Sequence, residues 1–172
     1  MGSAWSTFGP NRKIRQTAPR PPLPQRHAMS LPAVRFFHRG RVVAVEGASP
    51  TRSVLNWLRE DARCTGSKEG CNEGDCGACT VVVAELAEHA DAVGTASARA
   101  TVVGGLSLRT VNSCIQFLPT LHGKALLTVE DLQAIAQGMA VANPGVGTLH
   151  PVQQALVDCH GSQCGFCTPG FA

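Results

Sequence analysis

The sequence contains no tyrosine, and aromatic residues make up only 5% of its 172 residues. Proteins that bind single-stranded nucleic acids stack the bases on aromatic rings, so this scarcity argues against that class. No stretch approaches the roughly 20 consecutive apolar residues of a membrane-spanning helix, and the start lacks the apolar segment of a secretory signal. We therefore expect a cytoplasmic protein that has no nucleic-acid partner and no membrane association.

The charge of the chain is unevenly distributed. The formal net charge is +3, from 15 basic and 12 acidic residues, but residues 1–28 hold five basic residues and no acid. The remainder is mildly acidic and lacks the clustered basic face that nucleic-acid binding requires. Residues 1–28 also hold five of the 11 prolines, so we expect a disordered, basic Pro/Arg-rich extension. Because regular patterning begins just after Met29, the natural start is either Met1 or Met29.

The pattern after residue 32 predicts strands before a helix. Two strand-like runs flank His38-Arg39-Gly40, which we predict to be a hairpin turn. Ser49-Pro50 predicts a helix start, with serine as the N-cap and proline at the first helical position. An apolar stripe at helical spacing follows and should face the core. The two runs are 33–37 and 41–45, and the stripe consists of Val54, Leu55, Trp57 and Leu58.

Further strands are followed by helices in the last quarter of the chain. Residues 87–98 are predicted as a loop or hairpin extension, and residues 142–147 as a Pro/Gly linker. Strands before helices indicate an α+β fold. The predicted strands are 80–86, 99–103, 106–111 and 125–129, and the predicted helices are 131–137, 151–159 and one that begins at Thr168.

Three cysteines share one glycine-rich loop, and a fourth stands apart. Cys71, Cys76 and Cys79 have the spacing C-x4-C-x2-C, and Cys114 is the only cysteine between Cys79 and Cys159. This spacing with a distant fourth cysteine is typical of plant-type 2Fe–2S ferredoxins. The alternatives are a disulfide framework, which the lack of a secretory signal disfavours, and structural zinc, which usually takes two separated Cys pairs.

Two features of this loop should shift the reduction potential of a bound cluster in opposite directions. Its glycines let backbone N–H groups approach the sulfurs, and such hydrogen bonds raise the reduction potential of a cluster. The acidic neighbours Glu69, Glu73 and Asp75 should lower it.

A second group, Cys164 and Cys167, forms a C-x2-C pair in the string Gln163-Cys-Gly-Phe-Cys-Thr-Pro-Gly170. Such a pair alone fits a redox pair, half a zinc site or half a cluster site. Together with the string from Thr65 to Val82, however, it closely resembles the iron–sulfur part of the xanthine oxidase (molybdenum hydroxylase) family. The resemblance covers about residues 33–172, with two long motifs in the same order.

The resemblance implies two domains. Residues 29–130 should form a β-grasp 2Fe–2S ferredoxin-like domain, with its cluster on Cys71, Cys76, Cys79 and Cys114. Residues 131–172 should form a linker and the start of an all-α, four-helix 2Fe–2S-binding domain. Cys164 and Cys167 would be half of its ligand set, at a turn between two helices, and Gln163 would contact molybdopterin. The family's other two ligands come from a later Cys-x-Cys, so we expect a truncated second domain.

The implied function is electron transfer within an oxidoreductase. In a xanthine dehydrogenase-type enzyme, hypoxanthine or xanthine is hydroxylated at the molybdenum centre, and electrons pass through two 2Fe–2S clusters to FAD and then NAD. This chain would only carry electrons and has no catalytic residue of its own. Its partners would be the FAD domain and the molybdopterin-binding subunit. The alternatives are the small subunit of an aldehyde- or carbon monoxide-oxidising relative, a free-standing 2Fe–2S ferredoxin carrier, and a zinc-stabilised structural module.

The two remaining cysteines match no ligand of the family. We expect Cys64 to have no role in metal binding. Cys159 should close a helix and pack as a small apolar residue.

Overall fold

The computed structural model describes residues 32–92, 100–142 and 149–172. The predicted extension 1–28, Met29, and nearly all of the predicted linker 142–147 lie outside these residues. So do the last residues of the predicted loop 87–98.

The described residues form a mixed six-stranded sheet in the order β2-β1-β6-β3-β5-β4. β1 and β6 pair in parallel, and the other neighbouring strands are antiparallel. The sheet and its flanking helices confirm the predicted α+β class. The strands are β1 Val34–His38, β2 Arg41–Val45, β3 Thr80–Leu86, β4 Thr101–Val103, β5 Leu106–Asn112 and β6 Ala125–Leu127.

The first hairpin is tighter than predicted. His38 pairs with Arg41, so Arg39 and Gly40 alone form the turn, with φ of 48° and 76°. Positive φ at both central residues is the geometry that matches the twist of a two-residue hairpin. His38 ends β1 instead of entering the turn, and its ring is buried against Trp57 with a centroid separation of 5.6 Å.

Helix α1, Val54–Glu60, covers one face of the sheet. Its predicted apolar stripe is buried, as expected, and Phe36 of β1 meets Trp57 edge-on at 4.9 Å. Complete burial of such side chains stabilises a fold by roughly 1.5–3 kcal/mol each. The side chains buried between α1 and the sheet therefore form the core that supports the neighbouring cysteine loop.

The predicted start of α1 was wrong. The N-cap is Ser53, whose Oγ accepts from Asn56 N at 3.1 Å, whereas Ser49 Oγ accepts from Thr51 N in a local turn. The first helical amides donate outside the helix, from Val54 N to Gln116 O at 2.8 Å and from Leu55 N to Ser113 O at 3.0 Å. These bonds satisfy two otherwise unpaired helix-start donors. They also fix the turn that carries Cys114.

The helices after α1 differ from the predictions in extent. Residues 87–92, predicted as loop, form helix α2, and the helix predicted at 131–137 continues to Ala142. None of the helices described is long and apolar enough to cross a membrane. A four-helix second domain remains a prediction. The later helices are α3 Asp131–Ala142, α4 Pro151–Asp158 and α5 Thr168–Phe171, and a short 3-10 helix spans Leu118–Leu121.

Candidate metal centre

The first cysteine loop, residues 66–79, connects the region after α1 to the start of β3. Its two ends are joined by a bond from Lys68 N to Ala78 O at 2.9 Å. Glu130 Oε1 accepts from Gly66 N at 2.7 Å, and Arg59 Nη1 donates to Ser67 O at 2.9 Å. The loop is thereby anchored to α1 and to the segment after β6.

The backbone of this loop turns its amides toward Cys71. Asn72 and Gly74 have φ of 56° and 84°, conformations that reverse the chain locally. As a result Cys76 N, Glu73 N and Asp75 N donate to Cys71 Sγ at 3.3–3.4 Å. These donors, with Cys76 contributing most, lower the pKa of the Cys71 thiol to about 7. Hydrogen bonds to a thiolate favour its charged form, which is the form that binds metal.

Cys79 and Cys114 lie together in the interior, with exposures of 2% and 8%, beside Leu55. Ser113 holds the two segments together, because its N and Oγ donate to Cys79 O at 3.2 and 2.7 Å. Burial raises the pKa of the Cys114 thiol to about 11; its hydrogen bond to Cys79 adds to the rise, and the N–H of Gly74 opposes it.

The structure thus brings all four predicted ligands of the first site into one neighbourhood. Cys71 interacts with Cys76, Cys79 with Cys114, and Cys114 also with Cys71. Within the described ranges, no three His, Cys, Asp or Glu side chains form a ready-made site for one metal ion. The side-chain hydrogen bonds among these cysteines instead join them as two pairs, Cys71 with Cys76 and Cys79 with Cys114.

Sequence analysis missed Asn112, which closes the loop. Its Nδ2 donates to Gly74 O, and its Oδ1 lies 3.5 Å from Thr80 Oγ1, which can donate to it. Ile115 covers the same turn, since a Cβ built on Gly74 would lie 2.8 Å from Ile115 Cδ1. The available signal was the position of Asn112, two residues before Cys114 at the end of a predicted strand.

The second cysteine pair lies at a turn between two helices, which is the location that the resemblance implies. Cys164 and Cys167 occupy the segment between α4 and α5, and both are exposed, as is Gln163. The segment turns at Gly165, which has φ of 79°. At the start of α4, His150 is the N-cap and accepts from Val152 N.

The two non-ligand cysteines occupy opposite environments. Cys64 is 1% exposed in the core, its Sγ 3.7 Å from His38 Nε2, and burial raises its pKa. Cys159 caps the C-terminus of α4 and is exposed. The prediction that Cys159 packs as an apolar residue was wrong, because no residue of α4 is buried in the described structure.

Comparison with known families finds two matches that together cover most of the described chain. Residues 36–115 match the 2Fe-2S iron-sulfur cluster binding domain, and residues 128–172 match the [2Fe-2S] binding domain.

The similar proteins are oxidoreductases. Xanthine dehydrogenase of Calliphora vicina is 37% identical over 140 residues, and aldehyde oxidase 4 of Cavia porcellus is 36% identical over 136 residues. Each match covers 79% of this chain but 8% of the relative, so the chain spans under a tenth of their length. The crystal structure of quinoline 2-oxidoreductase from Pseudomonas putida 86 aligns over 80% of this chain and 64% of that chain, with TM-score 0.52 and 26% identity.

Fold, cysteine arrangement and matches together define a segment that consists of 2Fe–2S-binding domains. Within that class, the chain belongs to the molybdenum hydroxylase family, the family of xanthine dehydrogenase and aldehyde oxidase.

Proposed function

We propose that this chain carries electrons in a xanthine dehydrogenase-type hydroxylase, through a 2Fe–2S cluster held by Cys71, Cys76, Cys79 and Cys114. When bound, such a cluster takes up and releases one electron at a time. The single observation that carries the proposal is the paired arrangement of the four sulfurs, because a 2Fe–2S cluster needs two protein thiolates for each of its two irons. Cys71 with Cys76 would bind one iron, and Cys79 with Cys114 the other.

The surroundings of the four sulfurs fit this assignment. Three backbone N–H groups stabilise the Cys71 thiolate without adding a counter-charge. The buried Cys114 thiol resists ionisation on its own, but direct coordination to a metal deprotonates a thiol outright. Glu73 and Asp75 keep their side chains exposed, so they contribute a screened negative field rather than ligands.

The second cysteine pair would supply two ligands of another 2Fe–2S cluster. Cys164 and Cys167 are exposed on one segment, which suits a site completed by residues from elsewhere. Gln163, next to Cys164 and also exposed, would contact molybdopterin. The partners would be the FAD domain and the molybdopterin-binding subunit, which lie outside the part of the family that this chain matches.

Reconstitution of the purified chain tests the proposal. Anaerobic incubation with ferrous iron and sulfide should give about two irons per chain, broad visible absorbance, and a paramagnetic signal after one-electron reduction by dithionite. A chain that stays colourless under these conditions and instead binds one zinc ion tightly would contradict the proposal and favour a structural zinc module.

The substrate class needs the complete enzyme. Xanthine dehydrogenases and aldehyde oxidases match this chain equally well, so the purine assignment depends on local sequence, Glu73-Gly74-Asp75 and residues 80–84. Hypoxanthine added to the assembled oxidoreductase should reduce the cluster of this chain within a turnover, as seen by electron paramagnetic resonance. Reduction by an aldehyde or carbon monoxide, and not by a purine, would favour the alternative subunit, and reduction only by a separate soluble reductase would favour a free ferredoxin carrier.

A further inference from the structure

The segment with the second cysteine pair touches the first cysteine loop at two points. At the first, the ring of Phe166, which lies between Cys164 and Cys167, reaches Gly70. A Cβ built on Gly70 would lie 3.1 Å from Phe166 Cε1 and 2.6 Å from Cys76 Sγ. The aromatic ring and the Cys76 sulfur therefore both approach Gly70, a residue that has no side chain.

The second contact brings two backbones together. A Cβ built on Gly170 of α5 would lie 2.3 Å from Gly77 O and 3.5 Å from Thr80 Oγ1. Since real Cβ atoms do not approach backbone oxygens so closely, only glycine permits α5 to sit here. Phe166 and Gly170 thus attach the segment with the second cysteine pair and helix α5 to the first loop.

The burial of the aromatic side chains supports a specific contact at Phe166. Phe166 is 46% exposed, whereas Phe171, five residues later, is 77% exposed. No residue of α4 or α5 is buried, whereas the Phe166 ring lies against Gly70 of the first loop.

We propose that Phe166 is a positioning residue for both sites: it covers the Cys76 side of the first cluster and holds the Cys164–Cys167 pair against it. This inference rests on the proposed 2Fe–2S cluster at the first loop. It makes the segment with the second cysteine pair a partial cover of the first site, in which Cys76 is otherwise exposed. Outer residues of this kind tune metal affinity and redox potential through solvent access.

The test compares two phenylalanines of the same segment in the full 172-residue chain loaded with ferrous iron and sulfide. In Phe166→Ala, an iron chelator should bleach the visible absorbance roughly tenfold faster than in wild type, as expected for loss of an outer-shell group. The reduction potential should also move upward, because water then stabilises the more negatively charged reduced cluster. Phe171→Ala should behave like wild type, and Phe166→Leu should recover most of the protection.

A second variant approaches the contact from the other side. Gly170→Ala should push α5 away from Gly77 and reproduce the faster bleaching and the upward shift, while the circular dichroism of the sheet stays unchanged. If Phe166→Ala and Gly170→Ala both match Phe171→Ala in bleaching and potential, the inference is overturned and the proposed cluster stands. If wild type takes up no iron, the proposed function fails, and the inference with it.

Discussion

The two cysteine segments of this chain contain the same kind of metal-binding residue but differ in how the rest of the structure holds those residues. Residues 66–79 lead into β3, bury Cys79 but leave Cys76 exposed, present three amides to Cys71 and are closed by Asn112. The segment from Cys159 to Thr168 exposes all three of its cysteines. Burial, backbone donors and a second chain segment therefore distinguish a site that is assembled within this chain from a pair of cysteines presented on its surface.

Serine substitution at one ligand of the first site, and at one cysteine of the second segment, should break this comparison most strongly. Cys114→Ser removes a buried ligand, and we expect the loss of most of the iron that wild type takes up after reconstitution. Cys167→Ser should leave that iron nearly unchanged, because the first loop and Cys114 supply all four of its ligands. Iron and sulfide analysis with visible spectra measures both variants; equal losses would show that the two segments share one site.

The loop-closing residue should have the next largest effect. Asn112→Ala leaves Gly74 O without its side-chain donor, and loss of such an outer-shell partner costs about 10–100-fold in metal affinity. Asn56→Ala, at an exposed position of α1, is the matched control and should keep wild-type affinity. A chelator competition with each loaded variant gives the ratio, and a ratio near one for Asn112→Ala would assign loop closure to the backbone alone.

Thiol reactivity in the iron-free chain should sharpen the contrast between ligand and core cysteines. The backbone donors lower the Cys71 pKa to about 7, so its alkylation rate should rise between about pH 6 and 8 and then level off. The pKa of Cys64 is raised by burial, so its thiolate is scarcer at every pH and its modification should lag. Peptide mass spectrometry after timed alkylation resolves the two, and parallel profiles would contradict the hydrogen-bond geometry at Cys71.

The smallest effect concerns the helix that supports the first segment. Ser53→Ala removes the N-cap of α1 and should lower the free energy of unfolding by about 1 kcal/mol. Ser49→Ala should have little effect, because Ser49 caps only a local turn. Denaturant unfolding of the two variants measures the difference, and the reverse order of stabilities would place the helix start at Ser49 after all.

The parts of the fold that follow from short-range pattern could be predicted from the sequence. Strand β3 has the predicted bounds, and the stripe from Val54 to Leu58 is buried, because alternation and helical spacing are local signals. The start of α1 could not be predicted, since both Ser49 and Ser53 are good caps in isolation. The choice depends on Val54 N and Leu55 N meeting the distant carbonyls of Gln116 and Ser113.

The same division applies to the candidate site. The cysteine spacing predicted the four sulfurs of the first site. The role of Asn112 could not be predicted in this way, because it depends on the pairing of β3 with β5, which brings Asn112 opposite Thr80. The exposure of Cys159 was missed because an apolar helical pattern does not say whether another surface covers it. The contact between Phe166 and Gly70 joins residues 96 positions apart, and no local pattern reports it.

The parallel pairing of β1 with β6 has a consequence for the order of events during synthesis. These strands join His38 to Leu126, 88 residues apart, and closing so long a loop is slow and entropically costly. Three thiolates leave the ribosome well before Cys114 and the strand that completes the sheet. A nascent chain therefore first exposes an open loop that carries three of the four cysteines. Iron is best delivered after the sheet has closed.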